Sequence, residues 1–329
     1  EGNALTSTGF AEVTFFDGFK FTFNVGIGLD ETRSTSTKNP FYGQFVPNGG
    51  LVSKEHSRVF YTNLQQRLTY DKTFADVHHV SALLGHESYT TTSYVVGASK
   101  SRMFSNDNAE LSGSVVDGEN AYSSKSMYNN EGYLGRVQYD YANRIFLNAS
   151  FRRDASSRFH PDNRWGNFWS LGAAWLINEE SWFNAPWMDM LKFKASYGSQ
   201  GNDAIGNYRY TDTYSVAPLN GQIATTFETK GNKDITWETN ENFNTGIEFG
   251  LWGSRLSGSI EYFYRKTSDM LFFFNVATSS GYSGYYDNIG DMRNQGIEFA
   301  VNGTLMDRKN FRWDAYLNFT HYTNKIIML

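Results

Sequence analysis

The chain has 329 residues, a formal net charge of -5 and no cysteine, so nothing in its composition suggests a nucleic-acid surface, and disulfides and thiolate chemistry are excluded. Aromatic residues make up 17% of the sequence and only 5 residues are proline, a composition that suits strands and turns. No apolar run approaches the roughly 20 residues of a membrane-spanning helix. The mean hydropathy of -0.51 does not exclude a membrane β-barrel, because only alternate residues of a barrel strand face lipid.

The first strong signal is the strict alternation between Phe19 and Asp30. Every odd-numbered residue in this range is apolar, and every even-numbered residue is polar or glycine. A period of two places the two sets on opposite faces of a strand. A strand of this length extends roughly 40 Å, whereas a tilted strand needs only about 9–11 residues to cross a bilayer. The pattern therefore predicts a transmembrane β-strand with its odd-numbered side in lipid.

Strand-like runs recur along the whole chain, and several repeat the alternation. In one of them Phe243 and Ile247 alternate with Asn244 and Glu248. We predict twelve strands, at 5–16, 19–31, 57–70, 76–90, 131–141, 144–154, 166–178, 191–199, 241–251, 255–266, 294–305 and 311–322.

The connections between these runs alternate in length, which is a second and independent signal. Short connections are predicted at Asp17-Gly18, 71–75, Ala142-Asn143, 252–254 and 306–310, and the segment 179–190 is counted with them. Long connections are predicted at 32–56, 91–130, 200–240 and 267–293, with a moderate one at 155–165. Short turns on one side and long loops on the other are typical of outer-membrane barrels, whereas a β-sandwich gives no reason for such alternation. The sequence therefore predicts an all-β fold, a transmembrane antiparallel up-and-down β-barrel.

Tryptophans lie near many of the predicted strand ends. They are Trp165, Trp169, Trp175, Trp182, Trp187, Trp252 and Trp313. Aromatic girdles mark both interfaces of membrane barrels, so the membrane interpretation places some of these side chains at the headgroup level. The alternative is ordinary packing in loops or a core.

Several segments of the second half resemble one family of barrels in order and spacing. They are 164–166 (RWG), 191–198 (LKFKASYG), 235–238 (ITWE), 244–248 (NTGIE), 262–267 (YFYRKT), 269–271 (DML), 288–290 (NIG) and 294–298 (NQGIE). From about Glu131 to the end, the chain resembles the SusC/RagA family of TonB-linked outer-membrane transporters. Upstream of that point the alternation carries the argument.

The resemblance implies a function and a set of partners. Members form a large barrel of about 22 strands with a plugged lumen, and the TonB complex supplies the energy to move the plug. A SusD-like surface lipoprotein helps to capture oligosaccharides or peptides, and an oligomer of transporter–lipoprotein pairs is compatible with this. We therefore expect import of glycan fragments or oligopeptides across the outer membrane. We expect 1–329 to be a portion of one barrel domain, with the plug domain absent from this segment.

Chemistry by the chain itself is not expected. His78 and His79 are adjacent on a predicted strand and point to opposite faces, and His86 lies some 26 Å further along, too far for a shared zinc ion. No serine nucleophile elbow or paired-carboxylate signature stands out. We expect no enzyme, no metal site and no cofactor.

Three loop tyrosines are the candidate binding residues. Tyr282, Tyr285 and Tyr286 lie in the long connection at 267–293, and tyrosine offers a flat apolar face and a hydroxyl to a sugar or peptide. The alternative is that they pack against neighbouring loops or the lipoprotein.

Two other classes of function stay open at this point. A β-rich surface adhesin or carbohydrate-binding module without transport would also be rich in strands and aromatic residues. A barrel enzyme acting on lipid is the third possibility.

Overall fold

The computed structural model describes residues 1–117, 121–282 and 284–328, and these residues form an all-β structure. The strands are β1 (Gly2–Phe16), β2 (Phe19–Lys38), β3 (Leu51–Phe74), β4 (His78–Met103), β5 (Ser114–Asp117), β6 (Tyr122–Tyr141), β7 (Ile145–Ser156), β8 (Trp165–Leu176), β9 (Met188–Asn202), β10 (Thr213–Leu219), β11 (Gln222–Thr229), β12 (Glu238–Leu251), β13 (Leu256–Ser268), β14 (Leu271–Asn275), β15 (Gly284–Asn288), β16 (Asp291–Arg308) and β17 (Phe311–Met328). Short 3₁₀ turns lie at Val46–Asn48, Leu111–Gly113, Ile177–Glu179 and Thr278–Ser280. Within the described ranges, no helix is long and apolar enough to cross a membrane.

Thirteen strands form one sheet in which chain neighbours are also sheet neighbours. The order is β1-β2-β3-β4-β6-β7-β8-β9-β12-β13-β16-β17, and β5 pairs with β4. The twelve strands of this path correspond one to one with the twelve predicted strands, which confirms the up-and-down arrangement. The pairing is antiparallel, for example from Thr239↔Ser268 to Leu251↔Leu256 between β12 and β13.

Several predicted strand ends were wrong because the strands continue well past the alternating residues. β2 runs to Lys38, β4 runs to Met103, and β6 begins at Tyr122, so the predicted loops at 32–56 and 91–130 were too long. Lipid imposes alternation only where a strand lies in the bilayer. Beyond it both faces can be polar, and residues such as Ser and Thr continue the ladder without a period-two pattern.

The long connections at 200–240 and 267–293 also contain two hairpins that were not predicted. β10 pairs with β11 across Asn220 and Gly221, and β14 pairs with β15. Asn220 and Gly221 both have positive φ, 52° and 77°, as a type I′ two-residue turn requires. The Asn-Gly dipeptide is the sequence signal that could have located the first hairpin.

The chain divides into two compact units. The first unit comprises Glu1–Ala11, Thr22–Gln66 and Glu87–Glu131. The second unit comprises Glu12–Phe21, Arg67–His86 and Gly132–Leu329, and it holds the main buried cluster. Each unit is described separately below.

Candidate functional site

The strands of the second unit have one face that is apolar and exposed, here named the apolar face. Cross-strand neighbours on it include Leu171 and Tyr197, Tyr197 and Phe243, and Phe193 and Ile247. All five of these side chains are exposed. Large contiguous apolar surfaces are rare on soluble proteins, so this face indicates contact with lipid.

The opposite side of the same strands, the polar face, carries ion pairs and amides. Lys194 Nζ lies 2.7 Å from both Glu248 Oε1 and Glu261 Oε1, and Lys192 Nζ lies 3.3 Å from Glu248 Oε2. One cation thus joins carboxylates from two other strands. A charged side chain facing hydrocarbon would cost about 2–4 kcal/mol at the bilayer midplane, so these groups belong to a hydrated face.

Asparagines continue the polar face along β12. The Thr267 hydroxyl donates to Asn240 Oδ1 at 2.6 Å, and Arg265 Nε donates to Asn242 Oδ1 at 2.7 Å. Asn244, the next residue of the row, is exposed. This surface offers amide, carboxylate and ammonium groups to a polar solute.

Tryptophans cluster at the short-turn end of the second unit. Trp175 Nε1 donates to Glu180 Oε1 at 2.9 Å, and the Trp182 ring lies 6.1 Å from that of Trp175. The backbone N–H of Trp252 donates to the carbonyl of Trp187 at 2.8 Å. An apolar ring with a polar contact at its edge is suited to a membrane interface.

The long-connection end of the second unit has its own aromatic set. The Arg153 guanidinium lies 5.1 Å from the centroid of the Trp165 ring, and Tyr133 stacks on Trp165 at 6.2 Å. Further into the apolar face, Trp169 contacts Tyr197 edge to face at 5.2 Å. Aromatic residues therefore flank the apolar face at both ends, as in a membrane barrel.

The long connections of the second unit pack around a buried cluster. Its members are Phe159, Phe168, Ile205, Ile235 and Trp237. The Trp237 ring lies 5.4 Å from Phe159 and 5.3 Å from Phe168, and its Nε1 donates to the Arg164 carbonyl at 2.8 Å. The loops are thus fixed to one another by a small core, which the sequence did not predict.

The three predicted binding tyrosines contact different neighbours. Tyr286 packs against the buried cluster and contacts Phe273 edge to face at 5.1 Å. Tyr282 contacts Phe227 at 5.8 Å, which ties it to the β10–β11 hairpin. Tyr285 contacts Phe274 at 5.8 Å across the β14–β15 hairpin. All three are half-buried among loop side chains.

The histidines of β4 each have a different neighbour. His78 Nδ1 lies 2.7 Å from the Tyr139 hydroxyl, and His79 Nε2 lies 3.1 Å from Asp71 Oδ1. Among the residues that the structure describes, no group of three or more His, Asp or Glu side chains could hold a metal ion.

A long antiparallel sheet with one lipid-compatible face, one hydrated face and aromatic residues at both ends defines a segment of an outer-membrane β-barrel. A family model described as "TonB dependent receptor-like, beta-barrel" matches residues 8–326. The chain belongs to that family. The match also covers the region before Glu131, where the resemblance to SusC/RagA was weaker.

Named relatives support the resemblance to SusC/RagA. The chain is 30% identical over 332 residues to TonB-dependent receptor P3 of Formosa agariphila, covering 97% of this chain and 32% of the relative. It is 32% identical over 207 residues to TonB-dependent receptor SusC of Bacteroides thetaiotaomicron, covering 60% of this chain and 21% of the relative. The chain therefore spans about a third of the length of TonB-dependent receptor P3, and its match with SusC spans about a fifth of that relative.

Solved structures agree with the fold. The RagAB peptide transporter superposes with a TM-score of 0.93 at 27% identity, covering 100% of this chain and 37% of that chain. The ferric citrate transporter FecA superposes with a TM-score of 0.59 at 8% identity, covering 99% of this chain and 43% of that chain, which is a likeness of fold alone.

Proposed function

We propose that the protein containing this chain imports glycan fragments or oligopeptides across the outer membrane, using energy from TonB. The observation that carries the proposal is the pairing of an exposed apolar face with an ionic and amide-rich face on the same strands of a TonB-dependent receptor-like barrel. The polar face would line the passage, and the apolar face would contact lipid. No covalent chemistry is needed for this role.

The chain would form part of a barrel of about 22 strands, the size class that encloses a plugged lumen. The remaining strands and a plug would come from residues outside these 329. Ligand binding would bias the plug, and TonB would then displace it. The relatives' greater length supports this division, because the chain accounts for only 32% of TonB-dependent receptor P3.

A SusD-like lipoprotein would cover the long-connection side of the barrel. The loop core around Trp237 would support such a partner. Tyr282 lies in the connection between β14 and β15, and Tyr285 lies on β15. Tyr286 would contribute to partner binding only by stabilising that core, because its side chain packs against it. The likeness to RagAB, a peptide transporter, supports oligopeptides as one of the two substrate classes.

Uptake by the host tests this function. A strain lacking the gene is compared with wild type for uptake of fluorescent heptapeptides and neutral heptasaccharides, with and without a functional TonB. The proposal requires that uptake of one class falls on deletion, returns on complementation and disappears without TonB. Uptake that is unaffected by deletion, or independent of TonB, would contradict it.

The two alternatives make different predictions for the same strain. A surface adhesin would bind cells or glycans equally well without TonB. A lipid-modifying barrel would release fatty acids from phospholipid vesicles. No feature of the described residues specifically favours either alternative.

A further inference from the structure

The polar side of the first unit carries a row of tyrosines that belongs to no motif identified in the sequence. Tyr61 on β3, Tyr89 on β4 and Tyr128 on β6 lie side by side. The ring centroids are 6.2 Å apart between Tyr61 and Tyr89, and 6.3 Å apart between Tyr89 and Tyr128. All three are half-buried, and together they form a continuous aromatic strip across three strands, here named the tyrosine strip.

The first ring of the strip lies over Gly28 of β2. A Cβ atom built on Gly28 would stand 2.1 Å from Tyr61 Cζ, so the ring occupies the space that a side chain would fill. At Gly26, one position along the same face, the nearest atom is a Cβ 3.7 Å away. The absence of a side chain at Gly28 therefore makes room for the Tyr61 ring.

A row of polar side chains runs beside the tyrosine strip. Asn24 Nδ2 donates to Gln65 Oε1 at 3.4 Å, and Gln65 Nε2 donates to Glu87 Oε1 at 3.3 Å. Gln65 is four residues from Tyr61, and Glu87 is two residues from Tyr89, so strand periodicity puts them on the same face as the rings. Amide and carboxylate groups thus border the aromatic surface.

A second tyrosine is seated in the same way further along β6. A Cβ atom on Gly97 would stand 2.6 Å from Tyr122 Cζ, and the Tyr122 hydroxyl donates to the Glu55 carboxylate. That hydrogen bond raises the pKa of Tyr122 above its usual value. These side chains border a hollow of about 1120 Å³ in the first unit. Close contact between a tyrosine ring and a glycine of the neighbouring strand therefore occurs twice on this face.

We propose that the tyrosine strip binds a neutral oligosaccharide chain, which makes glycans the substrate class of the transporter. A sugar ring has a C–H face that stacks on an aromatic ring and hydroxyls at its rim that bond to amides and carboxylates. The tyrosine strip presents aromatic rings, with amide and carboxylate groups beside them, on successive strands. The inference rests on the proposed function, because this face borders the passage only in the complete barrel.

A purely structural role and a peptide-binding role for the strip each account for less of the geometry. Covering a bare glycine with an aromatic ring stabilises a sheet, and this explains Tyr61 but not the continuation to Tyr89 and Tyr128. Peptides are commonly bound through their backbone at a free strand edge, and β3, β4 and β6 are all interior strands of the sheet.

The test uses the full-length transporter, purified in detergent, and isothermal calorimetry with neutral heptasaccharides of glucose, mannose and xylose. An equimolar heptapeptide pool is the second probe. We expect at least one heptasaccharide to bind, and Tyr89→Ala and Tyr128→Ala each to weaken it about tenfold. Tyr94→Ala is the matched control, because Tyr94 lies on the other face of β4 and is exposed. The affinity of this variant for the heptasaccharide should stay within about twofold of wild type.

A second pair of variants tests the contact between the Tyr61 ring and Gly28. Gly28→Ala must push the ring off the sheet and should weaken the same heptasaccharide, whereas Gly26→Ala has room and should not. Unchanged glycan affinity in Tyr89→Ala and Tyr128→Ala overturns the inference, even if the melting temperature falls, because the rings would then pack against protein.

The remaining outcomes separate the two proposals. Binding of the peptide pool without any heptasaccharide, together with TonB-dependent peptide uptake, overturns the glycan inference and leaves the transport function intact. Binding of neither probe, with no TonB-dependent uptake, counts against both.

Discussion

Trp165 and Trp175 lie at the two ends of β8 on the same face of the strand, ten residues apart. At the usual rise and tilt of a barrel strand, this separation corresponds to about 25 Å along the membrane normal, which matches the apolar band of outer-membrane barrels. Trp175 Nε1 donates to Glu180, and Trp165 lies beneath the Arg153 guanidinium. Each ring therefore meets a charged group at its end of the band.

The first prediction compares two adjacent residues of β12 that lie on opposite faces. Phe243→Arg puts a guanidinium into hydrocarbon near the middle of the band, and we expect it to lower the free energy of unfolding by about 2–4 kcal/mol. Asn244→Arg adds the same group to the polar face, where it stays hydrated, and should change stability by less than about 1 kcal/mol. Urea unfolding of the full-length protein in lipid vesicles measures both. Equal losses would contradict the assignment of the faces.

The second prediction concerns the cation shared by two carboxylates. Lys194→Met leaves Glu248 and Glu261 without the ammonium that lies 2.7 Å from each. Because these side chains are about one third exposed, we expect a loss of only about 1 kcal/mol, which shrinks in 1 M salt.

Lys192→Met is the matched control for that ion network. Lys192 makes one ion pair, at 3.3 Å from Glu248, and its removal should cost less. The same unfolding measurement applies to both variants. A larger loss in the free energy of unfolding for Lys192→Met than for Lys194→Met would show that the shared ion pair does not stabilise the protein more than the single one.

The third prediction concerns the buried loop cluster. Trp237→Ala removes a ring that lies between Phe159 and Phe168 and should cost about 3–5 kcal/mol locally. Hydrogen exchange should become faster in 203–237, while the paired residues of β12 and β13 keep their protection. Trp252→Ala, at an exposed turn outside the cluster, should leave the exchange of 203–237 unchanged. Unaltered exchange in Trp237→Ala would refute a structural role for the cluster.

The fourth prediction separates the loop tyrosines by role. Tyr286→Ala should lower the melting temperature, because Tyr286 packs against the buried cluster. Tyr282→Ala should weaken copurification with the proposed lipoprotein while leaving the melting temperature near wild type, since its ring lies against Phe227 of the β10–β11 hairpin and Lys230. The reverse pattern would show that the partner contacts lie elsewhere.

The strands of the bilayer region were predictable because lipid on one face requires apolar and polar residues to alternate, and this alternation is visible in a single sequence. The range from Phe19 to Asp30 shows that rule without exception, and β2 contains it. The rule stops where the strand enters water. The extension of β2 to Lys38 and of β4 to Met103 therefore left no periodic signal.

The loop core and the tyrosine strip could not be predicted, because both depend on contacts between distant residues. Trp237 Nε1 reaches the carbonyl of Arg164, 73 residues earlier in the chain. Period two gives the face of Tyr61, Tyr89 and Tyr128 on each strand. Their alignment depends on the register between strands, which neither the alternation nor the loop lengths specify.

The most direct measurement of the central claim uses the absence of cysteine in these 329 residues. Spin labels are placed on Leu171→Cys, on the apolar face near the middle of the stretch between Trp165 and Trp175, and on Asn148→Cys, on the polar face of the neighbouring strand. Collision rates with oxygen and with a water-soluble nickel chelate are recorded for the full-length protein in liposomes. We predict an oxygen-rich, nickel-poor environment at 171 and the reverse at 148. Equal access of the nickel chelate to both labels would contradict a lipid-facing surface.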